Sequence, residues 1–231
     1  MILHQAKIYV AACKPERIRK LPEQLEKLDL PYIIERELPS VQAASGVVFD
    51  GCSRRFRDQV LTDTETPLLW LEDDIDIFYN FLEVWAEYEK TLPVDWKVAV
   101  LGWGLMHEDG DRAPKIREVS PGWWHLEEPV VFAPNFSGTQ ATLVNGGEWR
   151  ELFRDKAFRC DIDLCRLLKE HGIEQIYHTD KVLIGTCDPT TTFGDAVVQY
   201  PTMTVPKYWS WKELRYRDVQ ESDFLITDTS D

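Results

Sequence analysis

Thr66-Pro67-Leu68-Leu69-Trp70-Leu71-Glu72-Asp73-Asp74 is an apolar run of strand length that stops abruptly in three consecutive carboxylates. A buried strand with acids at its C-terminal end delivers them where open α/β sheets keep their ligands. Adjacent carboxylates repel one another, so such a cluster needs a cation, a hydrogen-bond network or full solvation. Magnesium and manganese prefer oxygen ligands and often bind through one or two carboxylates plus a substrate phosphate. That combination points to chemistry on a phosphorylated donor. The competing reading is helix capping. The segment after the cluster is strongly helical, and acids are favoured as N-caps and in a first helical turn.

With 231 residues, the chain has room for one generous domain, or one domain with a tail. Forty acidic against 26 basic residues give a net charge of −14. That argues against a general basic footprint for nucleic acid or an anionic membrane, though not against a local basic patch. Apolar runs such as Val98 to Met106 are too short to span a bilayer, so no transmembrane segment is expected. The N-terminus lacks the charged-then-apolar pattern of a secretory signal, which reads as a cytoplasmic chain. Cys13, Cys52, Cys160, Cys165 and Cys187 are scattered without zinc spacing and read as reduced thiols.

Working outward from the opening stretch, Lys7 to Ala12 is strand-like, and Pro15-Glu16-Arg17 opens a helical stretch to Leu28, with Pro22 as its candidate break. Tyr32 to Arg36 is a second short strand. A glycine-containing segment, Val41 to Ser53, leads into a basic helix bearing Arg54, Arg55 and Arg57. After the acids, Phe78, Phe81, Leu82, Trp85, Tyr88 and Leu92 recur at three- and four-residue steps, which predicts an amphipathic helix ended by Pro93. Lys97 to Leu101 reads as a buried strand stopped by Gly102-Trp103-Gly104, and residues 105 to 128 as a long loop. Pro129 to Ala133 and Gln140 to Asn145 read as strands, Glu148 to Phe153 and Asp161 to His171 as helices, the latter stopped by Gly172. Ile173 to Tyr177 and Val182 to Ile184 read as late strands. Strands and helices alternate, so the predicted class is α/β, with a mainly parallel, doubly wound sheet. One domain is expected over residues 1–199. Residues 200–231 form a C-terminal extension, aromatic then acidic, without a clear period.

Several of these pieces together resemble glycosyltransferase family 25, which includes lipooligosaccharide and collagen galactosyltransferases. Leu69-Trp70-Leu71-Glu72-Asp73-Asp74-Ile75, the aromatic helix, Leu92-Pro93-Val94-Asp95-Trp96-Lys97-Val98 and Leu101-Gly102 resemble the family's Leu-Glu-Asp-Asp, helix, Pro-x-Asp-Trp-Asp and Leu-Gly series. Gly138-Thr139-Gln140-Ala141-Thr142-Leu143-Val144 resembles its Gly-Thr strand, Cys160-Asp161-Ile162-Asp163-Leu164 its Pro-Val-Asp element, and the opening strand with Arg17 its nucleotide-binding start. The resemblance runs over roughly residues 7 to 190. It departs at Gly51-Cys52-Ser53-Arg54-Arg55, where the family usually carries Ser-His, and at Thr142, where tyrosine is common. Asn135-Phe136-Ser137 has no obvious counterpart.

The resemblance implies a GT-A-like, Rossmann-like mixed sheet flanked by helices. It also implies transfer of a sugar from a nucleotide sugar with Mn2+ or Mg2+ at the acidic motif. Asp74 would be the best metal ligand, Glu72 the second acid and Asp73 a supporting group. His178, in a late strand region, would be a further metal ligand, against an ordinary hydrogen-bonded structural role. An inverting transfer needs a carboxylate to deprotonate the acceptor hydroxyl. Asp161 and then Asp163 are the candidates, with helix capping as their alternative. Arg17, Arg54 and Arg55 could grip a diphosphate through guanidinium fork geometry, or be ordinary helix arginines. Ala11 and Ala12 would lie against the nucleotide base, or in plain core packing. Trp103, Gly138, Thr139 and Asp188 are the acceptor-side candidates, with Trp123 and Trp124 as further stacking surface.

The expected partner is a nucleotide sugar, UDP-linked by preference. The acceptor stays open among a glycan, a lipid-linked saccharide, a protein and a modified nucleobase, as does the oligomeric state. A nucleotidyltransferase on a related sheet is a second enzyme reading, although residues Ala11 to Arg17 lack the glycine-rich phosphate loop it would need. A non-catalytic nucleotide- or sugar-binding module is a third.

Overall fold

A computed structural model describes residues 1–12, 15–19, 21–35, 55–73, 75–77, 80–104, 116–126, 137–154, 167–180, 183–186, 190–193, 196–199, 207–210 and 215–218. Its centre is an eight-stranded sheet in the order β2-β1-β3-β8-β5-β9-β7-β6. The strands are β1 (Lys7–Ala11), β2 (Tyr32–Glu35), β3 (Leu68–Glu72), β5 (Val98–Gly104), β6 (Ile116–Ser120), β7 (Trp123–Leu126), β8 (Ser137–Val144) and β9 (Ile176–Thr179). Pairing is parallel for β1 with β2 and β3, and for β5 with β9; the other pairs are antiparallel. Hence β1, β2, β3, β5, β6 and β9 point one way, and only β8 and β7 run against them. This is the α/β, Rossmann-like mixed sheet expected from the sequence.

Period-two alternation sorts the strand residues into two cores. Ile8, Val10, Leu69, Leu71, Ala99 and Leu101 pack on one face, with Leu3 of α1 (Ile2–Gln5), Leu21 and Leu25 of α3 (Leu21–Glu26), and Phe81 and Trp85 of α5 (Phe81–Thr91). Tyr9, Ala11, Leu68, Trp70, Val98 and Val100 pack on the other, beneath Phe56 and Val60 of α4 (residues 55–62) and Phe153 of a 3₁₀ helix (Glu148–Phe153). Leu167 and Leu168, in a helical stretch at 167–170, close that face. Strands covered on both sides read as continuous apolar runs, which is why β1, β3 and β5 stand out in the sequence.

Arg150 holds the α4 side together. Wholly buried, its guanidinium donates to the carbonyls of Asp63, Val144 and Asn145, each at 2.7 Å. It thereby ties the end of α4 to the end of β8. Burial lowers its pKa to about 10, so it remains charged at neutral pH.

Several sequence expectations are corrected. The first helical stretch breaks before Leu21, giving α2 (Pro15–Ile18) and α3. Pro22 is the second residue of α3, inside the first turn where a missing N–H costs nothing. The acids do not run into a helix. A short strand, β4 (Ile75–Ile77), intervenes and pairs antiparallel with β10 (Ile184–Thr186), and α5 starts only after Asn80. Val182 to Ile184 as a strand therefore shifts to β10.

Gly102 does not stop β5, which continues to Gly104. A Cβ at Gly102 would lie 2.6 Å from the backbone oxygen of Ile184, so the glycine lets β10 cross close over β5. The stretch 105 to 128 contains the hairpin β6–β7, turned at Pro121-Gly122 with Gly122 at φ 81. Two further hairpins follow: β11 (Thr190–Phe193) with β12 (Ala196–Gln199), and β13 (Lys207–Ser210) with β14 (Arg215–Asp218). The second gives the extension a structure its sequence had not suggested. The strand expected at Pro129 to Ala133 and all five cysteines lie outside the described residues.

Candidate functional site

The chain leaves β1 for β2 on one side, and leaves β3 for β5 on the other. The neighbouring C-terminal ends of β1 and β3 therefore form the topological switch point, the crevice where open α/β sheets bind ligands. Ala11 sits there with Glu72 opposite it on β3 and Glu35 opposite it on β2. Glu72 and Asp73 thus arrive at the switch point. The capping reading fails for them, because β4 separates them from α5.

Asp73 is buried and takes a 2.9 Å ion pair from Arg17 Nη1, with side-chain exposures of 3% and 8%. A buried pair of this kind fixes a turn more surely than it adds net stability. Arg17, expected to grip a diphosphate, thus reaches the site through Asp73. Glu72 is half-buried at the end of β3. Ala11 and Ala12 are almost fully buried, one in each core, and the Ala12 N–H donates to Glu35 O at 3.1 Å.

Two neighbours, Tyr9 and Glu35, had not been singled out in the sequence. The Tyr9 hydroxyl donates to Glu35 Oε2 at 2.5 Å, and Arg55 on α4 lies 3.7 Å from the same carboxylate. Burial, then the bond to Glu35, raises the Tyr9 pKa well above the ordinary phenol range. Beneath them Tyr9 stacks on Trp70 at 5.4 Å, and Phe56 meets Trp70 edge-on at 5.2 Å. The signal available for Glu35 was its place at the end of a short strand next to β1.

His178 is not brought to the acids. Register places it in one row with Val100, Thr142 and Trp70, three strands from β3. At about 4.8 Å per strand that is roughly 14 Å. Its ring is buried, and burial followed by repulsion from His125 lowers its pKa to about 3. It is a neutral core imidazole.

Trp103 lies in β5, and Gly138 and Thr139 in the adjacent β8, whose antiparallel course brings its first residues to the end of the sheet that holds Glu72. Trp123 is fully buried against Trp85 and Tyr88, which makes it core rather than stacking surface. Arg54, Asp74, Asp161, Asp163 and Asp188 lie outside the described residues. Among the described residues no group of three His, Cys, Asp or Glu side chains could hold a metal alone. Glu72 and Asp73 are the described acids of the motif, and hard cations such as Mg2+ are commonly bound by one or two carboxylates with substrate phosphates rather than by an all-protein cage.

No family model matches the chain, and no curated protein matches it. The specific resemblance to glycosyltransferase family 25 therefore finds no support in these comparisons. Among solved structures, a protein assigned as a glucose-1-phosphate thymidylyltransferase from Bacillus anthracis, in complex with a sucrose, is similar. The two share 8% identity at a TM-score of 0.37, over 74% of this chain and 67% of that one. A likeness this low carries no argument about activity. Among the described residues no helix is long and apolar enough to cross a membrane.

Proposed function

We propose that this chain is a metal-dependent glycosyltransferase that moves a sugar from a nucleotide sugar, UDP-linked by preference, to an acceptor hydroxyl. The observation that carries the reading is the delivery of Glu72 and Asp73 to the β1/β3 switch point, next to Ala11 and Ala12. The Arg17–Asp73 pair holds the chain just after Glu72, and Glu72 and Asp74, two positions on, are the proposed ligands of the donor's metal. A bound Mn2+ or Mg2+ would stabilise the charge that develops on the departing phosphate. Asp161, with Asp163 next to it in the helix expected there, is the proposed base for the acceptor hydroxyl. Trp103, Gly138 and Thr139, at the same end of the sheet, are the proposed acceptor side.

The test is release of UDP from a panel of UDP-sugars with manganese, comparing the native chain with Asp74→Asn and Glu72→Gln. Loss of the charge-stabilising group predicts a fall of about a hundredfold or more in turnover. Unchanged turnover in both variants, or no metal-dependent turnover with any nucleotide sugar, sinks the proposal. Formation of pyrophosphate from a nucleoside triphosphate and a sugar phosphate would point instead to nucleotidyl transfer.

A further inference from the structure

β4 follows the acidic motif in the chain, and one edge of the strand is closed by side chains of α3 and the residues after it. Gln24 Oε1 on α3 accepts from the Ile77 N–H at 2.8 Å. Lys27 Nζ, just past the helix, donates to the Ile77 carbonyl at 2.6 Å and to Gln24 Oε1 at 3.0 Å. Two side chains thus occupy both backbone groups of Ile77, as a neighbouring strand would. The Ile75 and Ile77 side chains pack in the same core as Leu21 and Leu25 of α3. The other edge of β4 is paired with β10. On the near side, β3 is held between β1 and β8 up to Leu71 and Glu72. Only residues 73 to 76 lie between these two anchors, and Arg17 grips the first of them.

We propose that Gln24 and Lys27 are positioning residues for the acidic turn, acting through the backbone of Ile77 rather than by touching any ligand. This rests on the reading of the turn as the donor-metal site. It adds that the segment following β1 sets the turn from two places: Arg17 from α2, and the Gln24–Lys27 pair from α3. Groups that orient metal ligands from behind typically change metal affinity by about 10–100-fold when removed.

The experiment uses the full chain and three variants: Gln24→Leu, Lys27→Met and the conservative Gln24→Glu, which keeps the acceptor oxygen. Amide exchange by NMR reads the backbone, and electron paramagnetic resonance with Mn2+ alone reads the acids. The Leu and Met variants are expected to speed exchange at the Ile77 amide about tenfold or more, with Leu69 and Leu71 still protected. Their Mn2+ affinity falls by about 10–100-fold, and Gln24→Glu retains most of both. Unchanged exchange at residues 73 to 77 overturns the inference. So does fast exchange there with Mn2+ affinity intact, or loss of protection throughout the sheet. If the native chain binds no Mn2+, the metal reading of the turn fails instead, and the exchange pattern alone decides the positioning role.

Discussion

His178 shows how far burial can move a side chain from the role its type suggests. In an unfolded chain the imidazole takes its proton near pH 6.5, whereas in the fold it is held off until about pH 3. The unfolded state therefore binds more protons between those values, and stability falls as the pH drops through that window. For this group alone the loss is on the order of 5 kcal/mol. His178→Gln is expected to flatten the acid limb of a stability-against-pH curve measured by urea unfolding. A native-like slope in that variant would assign the acid sensitivity to other groups. Arg17 makes the same point for charge. Its partner Asp73 is 56 positions away in the chain, a pairing that no local pattern announces. Arg17→Met removes the ion pair from a buried carboxylate and is expected to cost about 3–5 kcal/mol, with Arg17→Met/Asp73→Asn recovering much of it. If the double variant is as unstable as the sum of the singles, the pair is not coupled as described. Glu72 and Asp73 were legible as a site because an apolar strand ended in them. The Tyr9–Glu35 contact and the neutrality of His178 were not, since both arise only when distant strands meet.

Elements buried on both faces were the readable ones. β1, β3 and β5 are near-continuous apolar runs, and α5 keeps a clear helical stripe through Phe81 and Trp85 up to its cap, Leu92. β4 was hidden, because Ile75-Asp76-Ile77 is too short to separate strand alternation from the opening turn of the helix that follows. The β6–β7 hairpin was hidden for a different reason. Its edge strand exposes Arg117 and Glu118 and so resembles a polar loop, although Pro121-Gly122 carried a turn signal. Charges on such an edge discourage pairing with another chain. The joint between α4 and β8 hangs on Arg150, whose removal would orphan the carbonyls of Asp63, Val144 and Asn145. Arg150→Met is expected to lower stability by about 3–5 kcal/mol, read as a lower urea midpoint at unchanged slope. A loss within about 0.5 kcal/mol, the range of an ordinary surface change, would show that the joint does not depend on it.

Across the whole molecule the charge of −14 acts on any anionic donor approaching the switch point. Like charges repel over a distance that shrinks to about 8 Å at physiological salt. The KM for a nucleotide sugar should therefore fall as NaCl rises from low ionic strength, measured at fixed manganese. A KM that rises instead would mean that Arg55 and its neighbours impose a local positive field strong enough to reverse the sign. The central place of β8 bears on how the chain reaches this fold. It lies between β3 and β5, running against both, and joins the β2-β1-β3 side to the β5-β9 side, with Leu68 and Val98 both aligned on Val144. During synthesis every residue of β1, β2, β3 and β5 emerges before β8 does. Until then β3 and β5 each present a bare, apolar edge. A ribosome stalled before Ser137 would carry the β2-β1-β3 sheet with its edge unsealed and β5 with neither of its partner strands, since β9 also lies ahead, and such nascent chains are the ones prone to pair wrongly or to call on a chaperone.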